Sequence, residues 1–361
     1  MPHTDLTEPA PADFSAPALD SSAARSAPHV LGLDSLRSVA AFWVVFSHGA
    51  GIPIRHLLGG GGYFEHAVGA LSGIVFNGVA AVIVFFLISG FCIHFPWVSA
   101  ARLDSRTFLM RRYIRIGGPL IVVWLVILCS SDNVATAGRA VLWSVYCELI
   151  YYLFYPIIFR LFLAFGIRRV LAVSTAVSLL LIVTHWSNAF HWQFGIWLTW
   201  LVGLPSWLLG CLMAEEVRRS KTVQRPGISI WFWRAGAWVY TVASVLALSH
   251  SPLVLGYPAT LLIFSFYCYF WLRQELCGYS SKPPFALLEW AGTWSYSLYL
   301  MHNLIIAKWA ELDVALPPLI DGAAKFLAIL VASYAFYAAV EYPCHVLARK
   351  FGRRSAIVRA A

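Results

Sequence analysis

The feature that most constrains this chain is its repetition of apolar runs long enough to cross a bilayer. A helix needs about 20 predominantly apolar residues to span the hydrocarbon core. Runs of that order recur at about 33–53, 75–97, 117–130, 142–163, 168–185, 196–214, 231–249, 253–272, 288–309 and 323–347. Ten such runs predict an all-α polytopic membrane protein, because helices and closed barrels are the structures that satisfy their backbone polar groups within lipid. The third run is short, and the fifth is interrupted late by His185. Composition agrees: 60% of the 361 residues are hydrophobic and 12% charged, against about 25% charged in a soluble domain.

The formal charge of +9 calls for no nucleic-acid partner, since excess Lys and Arg in a multispanning chain marks its cytoplasmic loops. With the N-terminus placed inside, Arg55, Arg139, Lys308 and Lys325 fall on the outer side and Arg37 within a span. The remaining 21 of 26 Lys and Arg face the cytoplasm. That asymmetry predicts cytoplasmic termini and an even number of spans. Residues 1–29, rich in Pro, Ala and Ser and lacking a basic stretch followed by an apolar one, read as a disordered cytoplasmic tail rather than a signal peptide. Residues 30–348 form the membrane domain, and 349–361 a basic cytoplasmic tail. The seven cysteines sit mostly in apolar runs without metal-ligand spacing, so neither a disulfide framework nor a metal site is expected.

Ionisable groups inside spans are costly and by default mark function. Arg37 and His48 are eleven residues apart on the first span, which at about 100° and 1.5 Å per residue puts them on one helix face, about 16 Å apart. Depth along the spans brings Glu148 and His302 to the level of His48. A general base at His48, oriented by Glu148, follows as an expectation, with His302 in support. Glu341 comes to the depth of Arg37, and an Arg37–Glu341 ion pair is expected, with Asp34 at i−3 as the competing partner. Arg112 and Arg115 project from one helix face and suit a polyphosphorylated ligand or, equally, lipid headgroups. Ser89, beside Gly90, marks a small-residue step for close helix or ligand approach. His29 and Asp34 match the HxxxxD spacing of glycerolipid acyltransferases, but one short pattern beside a disordered tail carries little weight.

Taken together, these motifs resemble acyltransferase family 3. The resemblance rests on Leu33-Asp34-Ser35-Leu36-Arg37 with His48, Phe86-Leu87-Ile88-Ser89-Gly90-Phe91 and Arg112-Tyr113-Ile114-Arg115. It continues with Trp143-Ser144-Val145 and Glu148, Ser295-Tyr296-Ser297-Leu298-Tyr299 with His302, and Glu341-Tyr342-Pro343. It implies a ten-helix membrane domain that moves an acyl group, commonly acetyl, from cytoplasmic acyl-CoA to a hydroxyl of a carbohydrate or glycoconjugate acceptor at the outer side. It also implies a multi-pass protein of the cell membrane, the inner membrane of a bacterium. Arg37 and His48 are the residues it implies to be required, and Arg112 and Arg115 those that serve the CoA phosphates. No tightly bound cofactor or metal is implied, and acyl-CoA is a substrate. Some members carry a fused extracytoplasmic domain; with none here, transfer is expected to finish in the membrane domain or with a separate partner.

The chain departs from the family pattern at Ser35 and Ser38, where glycines are usual, and at Leu149, where a second acidic residue is usual. The same residues also admit a transporter or flippase for a lipid-linked sugar, which would turn over no acyl-CoA.

Overall fold

The computed structural model describes residues 30–49, 74–219, 228–250, 255–279, 284–313 and 316–360. The elements among them are helical throughout. Helix α1 is Leu33–Ser47 and α2 Gly78–His94. Then follow α3 (Ser105–Arg112), a π-helical turn (Tyr113–Gly117), α4 (Gly118–Leu128) and α5 (Asp132–Val141). Helices α6 (Trp143–Phe165), α7 (Ile167–Thr184), α8 (Gly195–Arg219), α9 (Ile230–His250) and α10 (Tyr257–Tyr279) come next. The chain ends with α11 (Ala286–Thr293), α12 (Ser295–Leu312), α13 (Pro318–Phe336), a second π turn (Tyr337–Glu341) and α14 (Tyr342–Ala360).

Each apolar run read from the sequence is therefore largely helical in its described part. Five helices among the described residues are long and apolar enough to cross a membrane: Gly78–Trp97, Trp143–Phe165, Ile167–Thr184, His191–Arg219 and Ile320–Phe351. Their outer faces are apolar too. Leu153, Ile157 and Leu161 form an exposed stripe on α6, and Val173 and Leu180 are exposed on α7. Exposed apolar stripes of this kind suit a lipid solvent.

Several boundaries differ from the sequence reading. Helix α1 ends at Ser47, and residues 50–53 of the expected span, like the tail 1–29 with His29, lie outside the described residues. The short third run is the end of a longer helical stretch that begins at Ser105 and passes through the first π turn. The run at 288–309 is broken at Trp294, whose φ of −116° and ψ of 15° end α11 before α12 begins. Helix α5 occupies what reads as an outer loop; its buried Val134, Ala135, Gly138 and Val141 make one apolar face that packs on α12.

Glycines set the closest crossings. A Cβ on Gly90 of α2 would lie 1.9 Å from the Trp207 carbonyl, and one on Gly210 of α8 would lie 2.0 Å from the Leu87 carbonyl. Backbone therefore meets backbone where α2 crosses α8, the close approach that small residues permit between membrane helices. At the crossing of α1 with α11, a Cβ on Gly292 would lie 2.0 Å from the carbonyl of Asp34.

Candidate functional site

The site begins with how α1 is started. The first N–H groups of a helix have no partner within it, and α1 has no side-chain cap of its own. Glu289 of α11 supplies one from outside: its Oε1 accepts from the N–H of Gly32 at 3.1 Å, the N–H of Ser35 at 2.9 Å and the Ser35 hydroxyl at 2.6 Å. This fixes α1 one turn before Arg37. The Arg37 guanidinium then donates to Asp34 at 2.9 Å and to the Cys92 sulfur at 3.3 Å.

Two π turns place the next residues. Each ends two positions before a proline, Pro119 in one case and Pro343 in the other. Proline has no N–H for the carbonyl four residues back and its ring clashes with it, here the carbonyls of Arg115 and Ala339. The helix widens locally in response, and the Tyr342 N–H reaches five residues back to Tyr337. Turns of this kind recur at functional sites. The first carries Arg115 and the second Glu341. The segments meet where a Cβ on Gly118 would lie 2.6 Å from the Cys344 sulfur, and the Tyr296 hydroxyl donates to the Ile116 carbonyl inside the first turn at 2.9 Å.

These elements enclose a cavity of about 110 Å³ lined by Arg37, Arg112, Arg115, Glu148, Glu341, Ser89, Cys92, Tyr152, Tyr296 and Tyr299 with apolar neighbours. Glu148 accepts from the Ser89 hydroxyl at 2.6 Å and from the Tyr152 hydroxyl, while the Trp207 indole donates to Ser89 at 3.3 Å. Glu341 accepts from the Ser297 N–H at 3.1 Å and from its hydroxyl. Both carboxylates are thus held by hydroxyls. Among the described residues neither Arg112 nor Arg115 has a carboxylate within salt-bridge distance; Arg112 lies over the Phe108 ring at 5.9 Å. The cavity thus presents two guanidinium groups with no carboxylate in direct ion-pair contact among the described residues.

The histidines are elsewhere. His48 is exposed just past the end of α1, its Nδ1 2.9 Å from the Val44 carbonyl. His302 is fully buried on α12, its Nδ1 2.7 Å from the Tyr299 carbonyl. Their ring centroids are 5.0 Å apart. Neither lines the cavity; Tyr299, whose ring lies 5.8 Å from that of His302 and 6.0 Å from that of Phe85, stands between.

Two expected pairings are therefore corrected. Glu148 does not orient His48: α1 packs against α2, α11 and α12, so Glu148 on α6 turns to Ser89 and Tyr152. Arg37 is bound to Asp34, its competing partner, and not to Glu341, which Ser297 occupies. The remaining expectations converge, since Arg37, Arg112, Arg115, Glu148, Ser89 and Glu341 share one cavity. Sequence reasoning gave no site role to Cys92, Tyr152, Tyr296 or Tyr299, although Tyr296 and Tyr299 stand in a motif that carries the family resemblance. Helical spacing held the signal for two of them, Cys92 standing three residues after Ser89 and Tyr152 four after Glu148.

A family model described as an acyltransferase domain, that of acyltransferase family 3, matches residues 30–338. The chain belongs to acyltransferase family 3. No match was found among curated proteins or among solved structures. For this family-3 acyltransferase the match spans every cavity residue named above except Glu341. The two serines where the family usually has glycine have partners: Ser35 donates to Glu289, and the Ser38 hydroxyl donates to the Ser35 carbonyl at 2.8 Å. Leu149, where an acid is usual, gives its carbonyl to the Tyr113 hydroxyl at 3.1 Å.

Proposed function

We propose that the acyl donor is a cytoplasmic acyl-CoA, most simply acetyl-CoA, and that the acceptor is a hydroxyl of a carbohydrate or glycoconjugate at the outer side of the membrane. The observation that carries this reading is the cavity with Arg112 and Arg115 unpaired by any described carboxylate. A guanidinium pair of this kind suits phosphate oxygens, which it binds through planar, charge-assisted hydrogen bonds. Arg37, tied to Asp34 and Cys92, stands further in as a fixed positive charge. The polar asymmetry of the sequence supports ten crossings with both termini inside, which sets the arginines toward the cytoplasm and His48 toward the outer half.

The pantetheine arm then runs from the arginines toward Tyr299, and His48 takes the proton of the acceptor hydroxyl as that oxygen attacks the thioester carbonyl. Lipids of a bacterial inner membrane surround the protein, and a separate extracytoplasmic partner could present the acceptor.

The test is release of free CoA from acetyl-CoA by the purified full-length protein, with and without candidate sugars. Release that is lost in His48→Ala and weakened in Arg115→Ala is the expected result. Folded protein that neither binds nor cleaves acyl-CoA would overturn the reading and favour a flippase for a lipid-linked sugar.

A further inference from the structure

The two histidines carry an asymmetry that the proposed transfer can use. A backbone carbonyl can only accept a hydrogen bond, so each Nδ1 that faces one must bear a proton. His48 Nδ1 lies 2.9 Å from the Val44 carbonyl, and His302 Nδ1 lies 2.7 Å from the Tyr299 carbonyl. In the neutral state both rings are therefore fixed in the same tautomer, with Nε2 bare and accepting. His302 Nε2 is buried and has no hydrogen-bond partner among the described residues. An acceptor left unsatisfied in the interior is unfavourable and calls for an explanation. The ring of His48, with a centroid 5.0 Å away, is the nearest described ring able to answer it.

We infer that His302 is a positioning residue for the reaction, and that the two imidazoles share one proton through their Nε2 atoms during transfer. This rests on the reading of His48 as the base. As the acceptor oxygen bonds to the thioester carbonyl carbon, its proton passes to His48 Nε2. The carbon–sulfur bond breaks, CoA leaves as the thiolate, and the proton passes from His48 to the sulfur. While His48 is protonated, its Nε2–H donates to the bare Nε2 of His302. The charge stays on His48, because an ion costs more at a fully buried ring than at an exposed one. The acceptor partner expected of Glu148 is thus supplied by a neutral nitrogen on α12. Tyr299 belongs to the same arrangement: its carbonyl fixes the His302 tautomer and its ring closes the cavity beneath.

Three variants of the full-length protein test this, each with acyl-CoA affinity and thermal unfolding measured alongside turnover. His302→Leu removes the acceptor and fills the space; kcat falls about 10–100-fold, the loss of one hydrogen bond to a charged group. The KM for acyl-CoA stays at the wild-type value, and the variant unfolds no earlier than the wild type because the orphan acceptor is gone. His302→Gln keeps an acceptor and retains most of the activity. His302→Ala leaves room for a small base, so added imidazole restores its turnover but not that of His302→Leu. Wild-type kcat in His302→Leu overturns the pairing and leaves the acyl-CoA reading standing, as does equal loss in all three variants with no rescue. Absence of acyl-CoA turnover by the wild-type protein overturns both.

Discussion

The arginine-lined cavity and the histidine pair are built on different plans. In the cavity, partners from other helices add to those on the same helix: Glu289 of α11 caps α1, Cys92 of α2 joins Asp34 in holding Arg37, Ser89 of α2 joins Tyr152 in holding Glu148, and Ser297 of α12 holds Glu341. The histidines are instead oriented by carbonyls of their own helical segments, three or four residues back. A site fixed from several helices keeps its shape when it is empty, which suits recognition of a bulky charged donor. A site fixed within one turn leaves Nε2 of each ring free for proton transfer.

That contrast predicts different failures at the two ends. The largest effect is expected at His48: His48→Ala lowers kcat about 10²–10⁴-fold, the range for removal of a general base, with the acyl-CoA KM unchanged. At the other end Arg112→Ala and Arg115→Ala each raise the acyl-CoA KM about 10–100-fold, since a hydrogen bond to a charged group contributes about 1.5–3 kcal/mol, and leave saturated turnover close to wild type. Steady-state kinetics against acyl-CoA concentration separates these outcomes. A kcat defect in the arginine variants would show that the cavity takes part in chemistry and would dissolve the comparison.

How far the sequence carried the reading follows the same division. Periodicity and length identified the apolar helices, because lipid solvation imposes a long apolar run whatever the packing. Local spacing paired Asp34 with Arg37 as an alternative and placed Arg112 and Arg115 together. It failed wherever the answer depended on which helices are neighbours. Depth along a span put Glu148 level with His48, but depth says nothing about azimuth, and α6 presents Glu148 to α2. The π turns were equally hidden. Pro119 and Pro343 are visible in the sequence as breakers, yet whether a helix kinks, ends or widens at a proline depends on what supports the freed carbonyls. The neighbour relation of His48 and His302 was also legible only as shared depth.

The helix crossings beneath the cavity give smaller, structural effects. Gly210→Ala places a methyl 2.0 Å from the Leu87 carbonyl, so α2 and α8 must part. Overpacking of this order costs about 1–3 kcal/mol, read as earlier thermal unfolding. Because Ser89 on α2 bonds Glu148 and receives Trp207 of α8, the same variant weakens acyl-CoA binding while leaving the histidine pair, on α1 and α12, in place. A loss of kcat with acyl-CoA affinity intact would contradict that separation.

The smallest effect distinguishes the two ways of starting α1. Glu289→Ala leaves the Gly32 and Ser35 N–H groups without an acceptor, and loss of a helix cap costs about 0.5–2 kcal/mol. Ser35→Ala removes only the hydroxyl donor at 2.6 Å and keeps both backbone donors on the carboxylate; one hydrogen bond contributes about 0.5–1.5 kcal/mol net. Thermal unfolding should therefore rank wild type above Ser35→Ala and Ser35→Ala above Glu289→Ala. Glu289→Ala should also raise the acyl-CoA KM, since Arg37 lies one turn beyond the cap. Equal destabilisation by the two variants would mean that the serine hydroxyl is the principal anchor of α1, and that this chain replaced the glycine usual in its family with its own means of holding the helix.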